Sequence, residues 1–333
     1  MRYAVITAAA ILLGFALYAK IDESRQSSIP EQVRAQFQHW KLTEHRLYAS
    51  PSEDEYRLTV FYQNLQMINA HNAAGHSHTL AINQFADLTS EEFLAKFTGG
   101  PIVNSPRPDQ PPAQPSTLGL PGSVDWTTRG VVTPVKLQGQ CGACWAFSTT
   151  GALEGIKALT GHGLTSLSEQ QLIDCTLGLG NHGCSGGTTL TGFNYVIRNG
   201  IEPESAYPFK ARNGPCRANR AQFVPFKIHR VGWAPKHNNN ALLAGVARQP
   251  VSTSIESHAL QFYHGGIISQ GCGQAVDHSV LIVGYGNQGG LYWKLKNSWG
   301  PRWGEQGYFR VKRITGIGVT PCGLNIYPEW PLV

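Results

Sequence analysis

Cysteine is absent from the first 140 residues of this 333-residue chain; all seven (Cys141, Cys144, Cys175, Cys184, Cys216, Cys272 and Cys322) follow. A part that cannot form disulfides therefore precedes a part that can. Charge is scarce: Asp, Glu, Lys and Arg make up 14% of residues, which excludes long charged disordered tracts. There is no Lys/Arg-rich run, so the net charge of +6 is scattered and argues against nucleic-acid binding. No N-x-[ST] acceptor occurs, which excludes N-glycosylation. Glycine is missing between Glu31 and Asn72, and Pro51 is the sole proline there. Past the N-terminus no apolar run is long enough to span a bilayer. No internal repeat is found. Cys141 and Cys144 form a C-x-x-C, but no second C-x-x-C or H-x3-5-H accompanies them, since Cys175 and Cys184 are nine apart. A zinc site is therefore not expected, nor any other metal or cofactor.

What is present divides the chain into four stretches. Residues 1–19 carry Arg2 and then the apolar run Ala4 to Leu17, the pattern of a signal peptide, with cleavage sites offered by Gly14-Phe15-Ala16 and Ala19. An uncleaved anchor is the alternative; after signal removal no membrane association is expected. Residues 20–98 read as mostly helical. Val60, Phe61, Leu65 and Ile68 share a helical face, and Thr89 with Glu92 predicts a capping box after a turn and short strand. Residues 99–119 are rich in Pro, Gly and Ser, an exposed linker of the kind proteases cut. Residues 120–333 begin helically: a helix from Cys144 to about Leu159, then another opened by Ser168 and Gln171 as a second capping box. Beyond Ala221 come β-type runs, "VSTSIE", "HSVLIVGYG", "GLYWKLKNSW" and "GYFRVKR", separated by glycines. A helical half before a strand-rich half predicts an α+β fold of two lobes with a cleft between them. The last stretch carries a charge of +8 and the rest −2, which weakly favours their docking.

A secretory leader implies an oxidising compartment, and an odd cysteine count there leaves one thiol unpaired. The C-x-x-C pair could be a redox dithiol, or a disulfide cysteine beside an inert buried thiol. Its context favours a third use. Cys144 opens the apolar helix "CWAFSTTGALEGIKAL", where the macrodipole favours thiolate, the reactive form. His278 starts an apolar strand, and Asn297 ends another beside Trp299. An imidazole can activate a thiol, and an asparagine oxygen can fix the imidazole's tautomer. A free thiol of pKa about 8.5 is ionised in only about one molecule in 3,000 at pH 5, whereas His pairing can lower the value to about 3–4. The pair, not the lone thiol, allows work in an acidic compartment.

With "CGACW" and intervals of 134 and 153 residues to His278 and Asn297, the chain resembles the papain-like cysteine peptidases of the cathepsin L branch over almost all of its length after the leader. The resemblance implies a papain-like two-lobed fold, with Cys144 as nucleophile and His278 as base and acid. Asn297 would orient His278, Trp299 would shield that bond, and Gln138 would serve the oxyanion hole with the Cys144 N–H. From 15 arithmetically possible pairings of six cysteines it selects Cys141–Cys184, Cys175–Cys216 and Cys272–Cys322, leaving Cys144 free. Glu53, Arg57, Phe61, Asn64, Ile68 and Asn72 match the spacing of the inhibitory propeptide of such zymogens. Asn83, Phe85 and Asp87 match a companion motif in which Ala81 replaces an expected glycine, so the backbone there is expected to differ. The linker would cross the cleft and be cut near Leu120. Gly187 would lie in a strand that pairs with substrate backbone. Thr188, Thr189, Ser254, Val276, Ser279 and Tyr327 would line the pocket for the second residue upstream of the scissile bond, with Tyr327 shortening it in favour of Leu or Val over Phe. No insertion resembles an occluding loop, which favours an endopeptidase over a dipeptidase. Peptide and protein substrates, the chain's own propeptide and cystatin-type inhibitors are the expected partners of a monomer in the lysosome, vacuole or exterior. A catalytically silent homologue acting as a binding protein is the competing reading.

Overall fold

The computed structural model describes residues 29–102 and 119–333. The leader and residues 103–118 of the linker lie outside the described residues. The N-terminal part holds α1 (Glu31–Thr43), α2 (Pro51–Ala73), β1 (His78–Leu80) and α3 (Ser90–Phe97). The glycine-free stretch is two helices, because Ser50 accepts a hydrogen bond from the Glu53 N–H and Pro51 takes the first helical position, which starts a new helix there. The predicted box at α3 is complete: Thr89 Oγ1 accepts from the Glu92 N–H, and Glu92 returns a carboxylate oxygen to the Thr89 N–H.

The propeptide-like residues explain the path of this part. Phe61 packs on Phe37 and Trp40. Arg57 reaches the Asp87 carbonyl and Glu92, and Asn64 donates to the carbonyls of Ala86 and Leu88. Asn72 brackets Leu80, donating to its carbonyl and accepting from its N–H. Ile68 is buried, and Glu53 lies 3.8 Å from the Arg57 guanidinium. The backbone at Ala81 is not left-handed, and its N–H pairs with the Phe262 carbonyl. Alanine fits there because no positive φ is needed.

In the second part β2 (Val124–Asp125) precedes α4 (Cys144–Leu159), α5 (Glu169–Cys175) and α6 (Thr189–Asn199). Then follow β3 (Arg230–Trp233), α7 (Asn239–Val246), β4 (Val251–Ile255), β5 (Tyr263–Ile268), β6 (His278–Gly286), β7 (Tyr292–Lys296), β8 (Tyr308–Lys312) and β9 (Glu329–Leu332). The sheet runs β1-β5-β8-β7-β6-β4-β9-β3, with β2 on β6. Only β5 and β8 pair in parallel among the described strands. β6 is buried along its whole length, which explains its continuous apolar run.

Two cores result. One gathers Trp145, Leu153, Leu172, Ile173, Phe193 and Val196 from the helices; the other lies on the sheet around Ile282, Trp293, Leu295 and Phe309. α4, apolar on nearly every side, is the central helix. The sheet core continues into the N-terminal part: Phe85 and Phe93 are fully buried against Trp299, at 5.6 and 5.1 Å between ring centroids. Burying such a side chain contributes about 1.5–3 kcal/mol, so these two rings are a main anchor of the N-terminal part. β1 adds a strand to the sheet edge through His78↔Gly266 and Thr79↔Gly265.

Two expectations are corrected. Only half of the second capping box forms. Ser168 accepts from the Gln171 N–H, but the Gln171 side chain turns to Tyr195, Gly200 and Glu202, because the segment 200–202 offers buried partners that outcompete the helix end. Gly187 lies in irregular extended chain before α6 and not in a strand. Asn181 holds that segment through the Thr188 N–H, and Trp145 and Asn181 leave no room for a Cβ on Gly187.

Candidate active site

Cys144 begins α4 and is buried, the one free cysteine. The other six pair as Cys141–Cys184, Cys175–Cys216 and Cys272–Cys322. The first disulfide fixes the turn before α4 beside residues 183–186, where the Gly142 N–H donates to the Cys184 carbonyl at 2.8 Å. A Cβ on Gly142 would stand 2.7 Å from the carbonyl oxygens of both Cys184 and Thr98, so only glycine fits this turn.

His278, at the start of β6, donates from Nε2 to Asn297 Oδ1 at 2.8 Å. The same oxygen accepts from the Ser298 N–H at 2.8 Å. It therefore cannot turn away, and the imidazole is held as the Nε2–H tautomer with Nδ1 bare. Nδ1 is buried and has no hydrogen-bond partner. Trp299 stacks on the ring at 4.5 Å and is itself buried, which keeps water from the His278–Asn297 bond.

The N-terminal part closes the site. Residues 98–102 pass over Cys144 as an irregular strap, with Gly100 in the left-handed region. Gly99 donates its N–H to the Asp277 carbonyl, and Ile102 to that of Val276. A Cβ on Gly99 would lie 3.1 Å from the Cys144 Sγ, so the strap crosses the thiol at a step without a side chain. The Phe97 carbonyl accepts from Gln138 Nε2 at 3.2 Å and from Trp299 Nε1 at 3.0 Å. Gln138 is held for this by Ser298, whose hydroxyl donates to Oε1 at 2.6 Å.

This closure sets the protonation states. Burial, with the Asp277 carboxylate nearby, pushes the Cys144 thiol up to about 11, although backbone N–H groups of Ser279, Trp145 and Gly99 oppose the rise. Burial pulls His278 down to about 4 against the opposing bond from Asn297. Thiol and imidazole are both neutral at physiological pH. The thiolate expected from the helix dipole is not the state found here, because desolvation under the strap outweighs the dipole. Burial also raises Asp277 to about 6.

The specificity residues are only partly brought together. Ser254 and Ser279 face each other at 3.3 Å between hydroxyls. Val276 is buried and meets the strap through its carbonyl, and Tyr327 is half-buried. Thr188 caps α6 by accepting from the Thr191 N–H. Thr189 Oγ1 donates to the buried Glu329 carboxylate at 2.6 Å. Sequence reading missed Glu329, which lies 140 positions from its partner. It also missed a buried ionic group behind His278 and Asn297. Lys136 meets Glu169 at 2.6 Å and Glu154 at 3.3 Å, and Lys296 donates to Thr133, which donates to Glu154. Lys136, Glu154, Glu169, Lys296 and Asn297 line a cavity of about 20 Å³, room for about one water. Low charge content was the available signal: buried ions in so apolar a chain must be paired. Among the described residues no cluster could hold a metal.

Residues 120–331 match the family described as papain family cysteine protease, and residues 37–93 match the cathepsin propeptide inhibitor domain. Papaya proteinase 4 of Carica papaya is 39% identical over 308 residues, covering 91% of this chain and 88% of that protein. Cysteine proteinase EP-B 1 of Hordeum vulgare is 39% identical over 348 residues, covering 100% and 92%. The oryzain beta chain of Oryza sativa is 41% identical over 287 residues, and this chain spans 62% of its length. Among solved structures, a recombinant stem bromelain precursor superposes with a TM-score of 0.82 at 34% identity, covering 91% of this chain and 99% of that one. Digestive procathepsin L 3 of Tenebrio molitor larval midgut gives 0.81 at 40%, covering 91% and 100%. The chain belongs to the papain family of cysteine proteases and carries that family's inhibitory propeptide domain ahead of its protease domain.

Proposed function

We propose that the chain is the zymogen of a cysteine endopeptidase in which Cys144 is the nucleophile. The observation that carries this reading is the His278 imidazole, tied at Nε2 to Asn297 and bare at Nδ1, with the one free thiol at the start of the central helix. Once the strap leaves, Nδ1 takes the Cys144 proton and the ion pair forms in a site no longer sealed. The thiolate adds to the substrate carbonyl. Negative charge on its oxygen is met by Gln138 Nε2 and the Cys144 N–H. The imidazolium then protonates the leaving amine, and water, deprotonated by His278, hydrolyses the thioester. Asn297 and Trp299 position the ring throughout.

The domain limits follow: leader 1–19, inhibitory propeptide 20–98, linker 99–119 cut near Leu120, and peptidase domain 120–333. A leader directs the chain to the secretory pathway, then lysosome, vacuole or exterior, as a monomer open to cystatin-type inhibitors. Gly187 would meet substrate backbone beside a pocket lined by Thr188, Thr189, Ser254, Val276, Ser279 and Tyr327. Leu or Val there should exceed Phe, and a dipeptide panel in which Phe beats Leu tenfold rules that out. The central test is labelling with a cysteine-reactive epoxide after propeptide removal. A single adduct at Cys144 with loss of activity, and no turnover by Cys144→Ala, supports the reading. Hydrolysis by Cys144→Ala at near the wild-type rate overturns it, and an unreactive Cys144 in a folded, processed chain points to the silent homologue.

A further inference from the structure

Two buried side-chain atoms near the active site have no hydrogen-bond partner within the protein. One is Nδ2 of Asn297, the residue after β7 whose Oδ1 holds His278. The other is Oε2 of Glu169, the first residue of α5. Asn297 is 4% exposed and Glu169 1%. They come from different halves of the peptidase domain, since α5 packs in the helical core and β7 in the sheet core. Yet both line the same cavity of about 20 Å³. Leaving a buried polar group unsatisfied costs about 1–3 kcal/mol, so each of the two needs a partner in that space.

The other polar side chains on the cavity wall already have partners. Ser148 donates to the Val280 carbonyl, Ser298 to Gln138 and Lys296 to Thr133, and Glu154 accepts from Lys136, Thr133 and the Leu167 N–H. Glu169 Oε1 accepts from Lys136 Nζ and from Thr150 Oγ1, each at 2.6 Å. Burial raises this carboxyl to about 8, with Lys136 opposing the rise. Oε1 is thus the carbonyl oxygen, and below that value the proton sits on Oε2. Two donors, the Glu169 Oε2–H and an Nδ2–H of Asn297, then share a space that fits one water. A water oxygen accepts two such bonds. The hydroxyl oxygens of Ser148 and Ser298 keep lone pairs for its hydrogens.

We propose that one water held between Glu169 and Asn297 fixes the Asn297 amide, which makes Glu169 a positioning residue for His278. The inference rests on the peptidase reading, in which Asn297 orients the imidazole. An amide has two ends. The oxygen end of Asn297 is set by the His278 Nε2–H and the Ser298 N–H, each at 2.8 Å. The water sets the nitrogen end. A bond donated by Nδ2 also polarises the amide and strengthens Oδ1 as an acceptor, because hydrogen bonds in a chain reinforce one another. That strengthening counts most when His278 carries the Cys144 proton and its Nε2–H belongs to an imidazolium. Without the water the amide is held at one end only, and the bond to the charged ring weakens. Glu169 touches neither substrate nor the reacting atoms; it acts through the water and Asn297.

The test uses Glu169→Met and Glu169→Gln, made in the full-length zymogen and assayed after propeptide removal. Met fills a similar space without a polar tip. Gln places an N–H where the acid has its O–H, so it keeps the water. Glu169→Met should lower kcat on a fluorogenic peptide by about tenfold with KM within twofold of wild type, in a chain that circular dichroism shows to be folded at the assay temperature. Glu169→Gln should stay within about threefold of wild type. If Glu169 served only to neutralise Lys136, Gln would be as poor as Met, and that result overturns the proposal. A folded Met variant with wild-type kcat overturns it too. Crystals of the otherwise unaltered Cys144→Ala zymogen give a readout that needs neither activity nor a change at Glu169. They should show an ordered water within about 3.2 Å of both Asn297 Nδ2 and Glu169 Oε2. No water touching both atoms overturns the proposal whatever the kinetics. If that water is present but processed wild type hydrolyses no peptide, the peptidase reading fails and the water site stands.

Discussion

At Cys144 and His278, one cause moves two groups in opposite directions. Burial raises the thiol and lowers the imidazole, so each keeps its neutral form under the strap. With the thiol near 11, the thiolate fraction at pH 7 is on the order of one in 10,000, and it climbs tenfold per pH unit up to that value. Alkylation of Cys144 by iodoacetamide at pH 7 should therefore be at least a hundredfold slower in the zymogen than in the processed enzyme. It should rise with pH in the zymogen and be flat above the acid limb in the mature form; equal rates would contradict the neutral pair. Gln138→Ala removes the side-chain donor that now holds the Phe97 carbonyl, and should lower kcat by about 10²–10³ with little change in KM, measured on a fluorogenic peptide. These residues were legible because each chemical role demands a residue type at an element boundary: a thiol at a helix start, an imidazole at a strand start, an amide at a strand end. Glu329 and Lys136 were not legible in this way. Their partners are set by how elements pack, which no local spacing encodes. The neutral state of Cys144 was also hidden, since it depends on a segment folding over the helix start.

Among elements, turns and caps were readable and the pairings between them less so. Thr89 and Ser168 start helices by local chemistry, whereas the break at Ser50 and Pro51 was not read, and the alternating or continuous apolar runs became β4 and β6 to β8 where expected. Gln171 departed from its box because a distant loop offered better partners. The return from α2 into β1 depends on Asn72, whose amide makes both hydrogen bonds to the Leu80 backbone. Asn72→Ala leaves that N–H and carbonyl without their partner, at a cost of about 1–3 kcal/mol. The zymogen should lose thermal stability relative to wild type, measured by scanning fluorimetry in the Cys144→Ala background, while the processed enzyme is unchanged. The strap offers the complementary change. Gly99→Val places two methyl groups where even a Cβ would stand 3.1 Å from the Cys144 Sγ. The strap must lift, so the purified zymogen should show several-fold higher residual activity and faster maturation. Wild-type latency in Gly99→Val would mean that the strap has slack at its crossing.

For the whole molecule, the two parts are joined by apolar burial, one strand pair and few charges. Phe85 and Phe93 on Trp299 supply the apolar anchor, and the sheet core runs through the junction without a break. The opposed charges, −2 and +8 by sequence, meet directly at Glu44 and Arg302, where a two-pronged contact at 3.1 and 2.9 Å lies on the surface. Exposed pairs of this kind contribute about 0.2–1 kcal/mol and weaken with salt. Arg302→Ala should therefore loosen docking only two- to fivefold, measured as inhibition of the mature enzyme by added propeptide. Raising salt from 50 mM to 0.5 M should weaken wild-type docking by a similar factor and the variant by less. A hundredfold loss in either case would mean that electrostatics, not the buried aromatic rings, hold the propeptide down. The division has a consequence for control. An apolar anchor is nearly indifferent to pH, and a surface ion pair of Arg with Glu barely responds between pH 7 and 5. A junction built this way responds to mild acid through the groups that titrate beside it, among them Asp277, whose carboxyl burial raises to about 6 and whose carbonyl holds the Gly99 N–H of the strap.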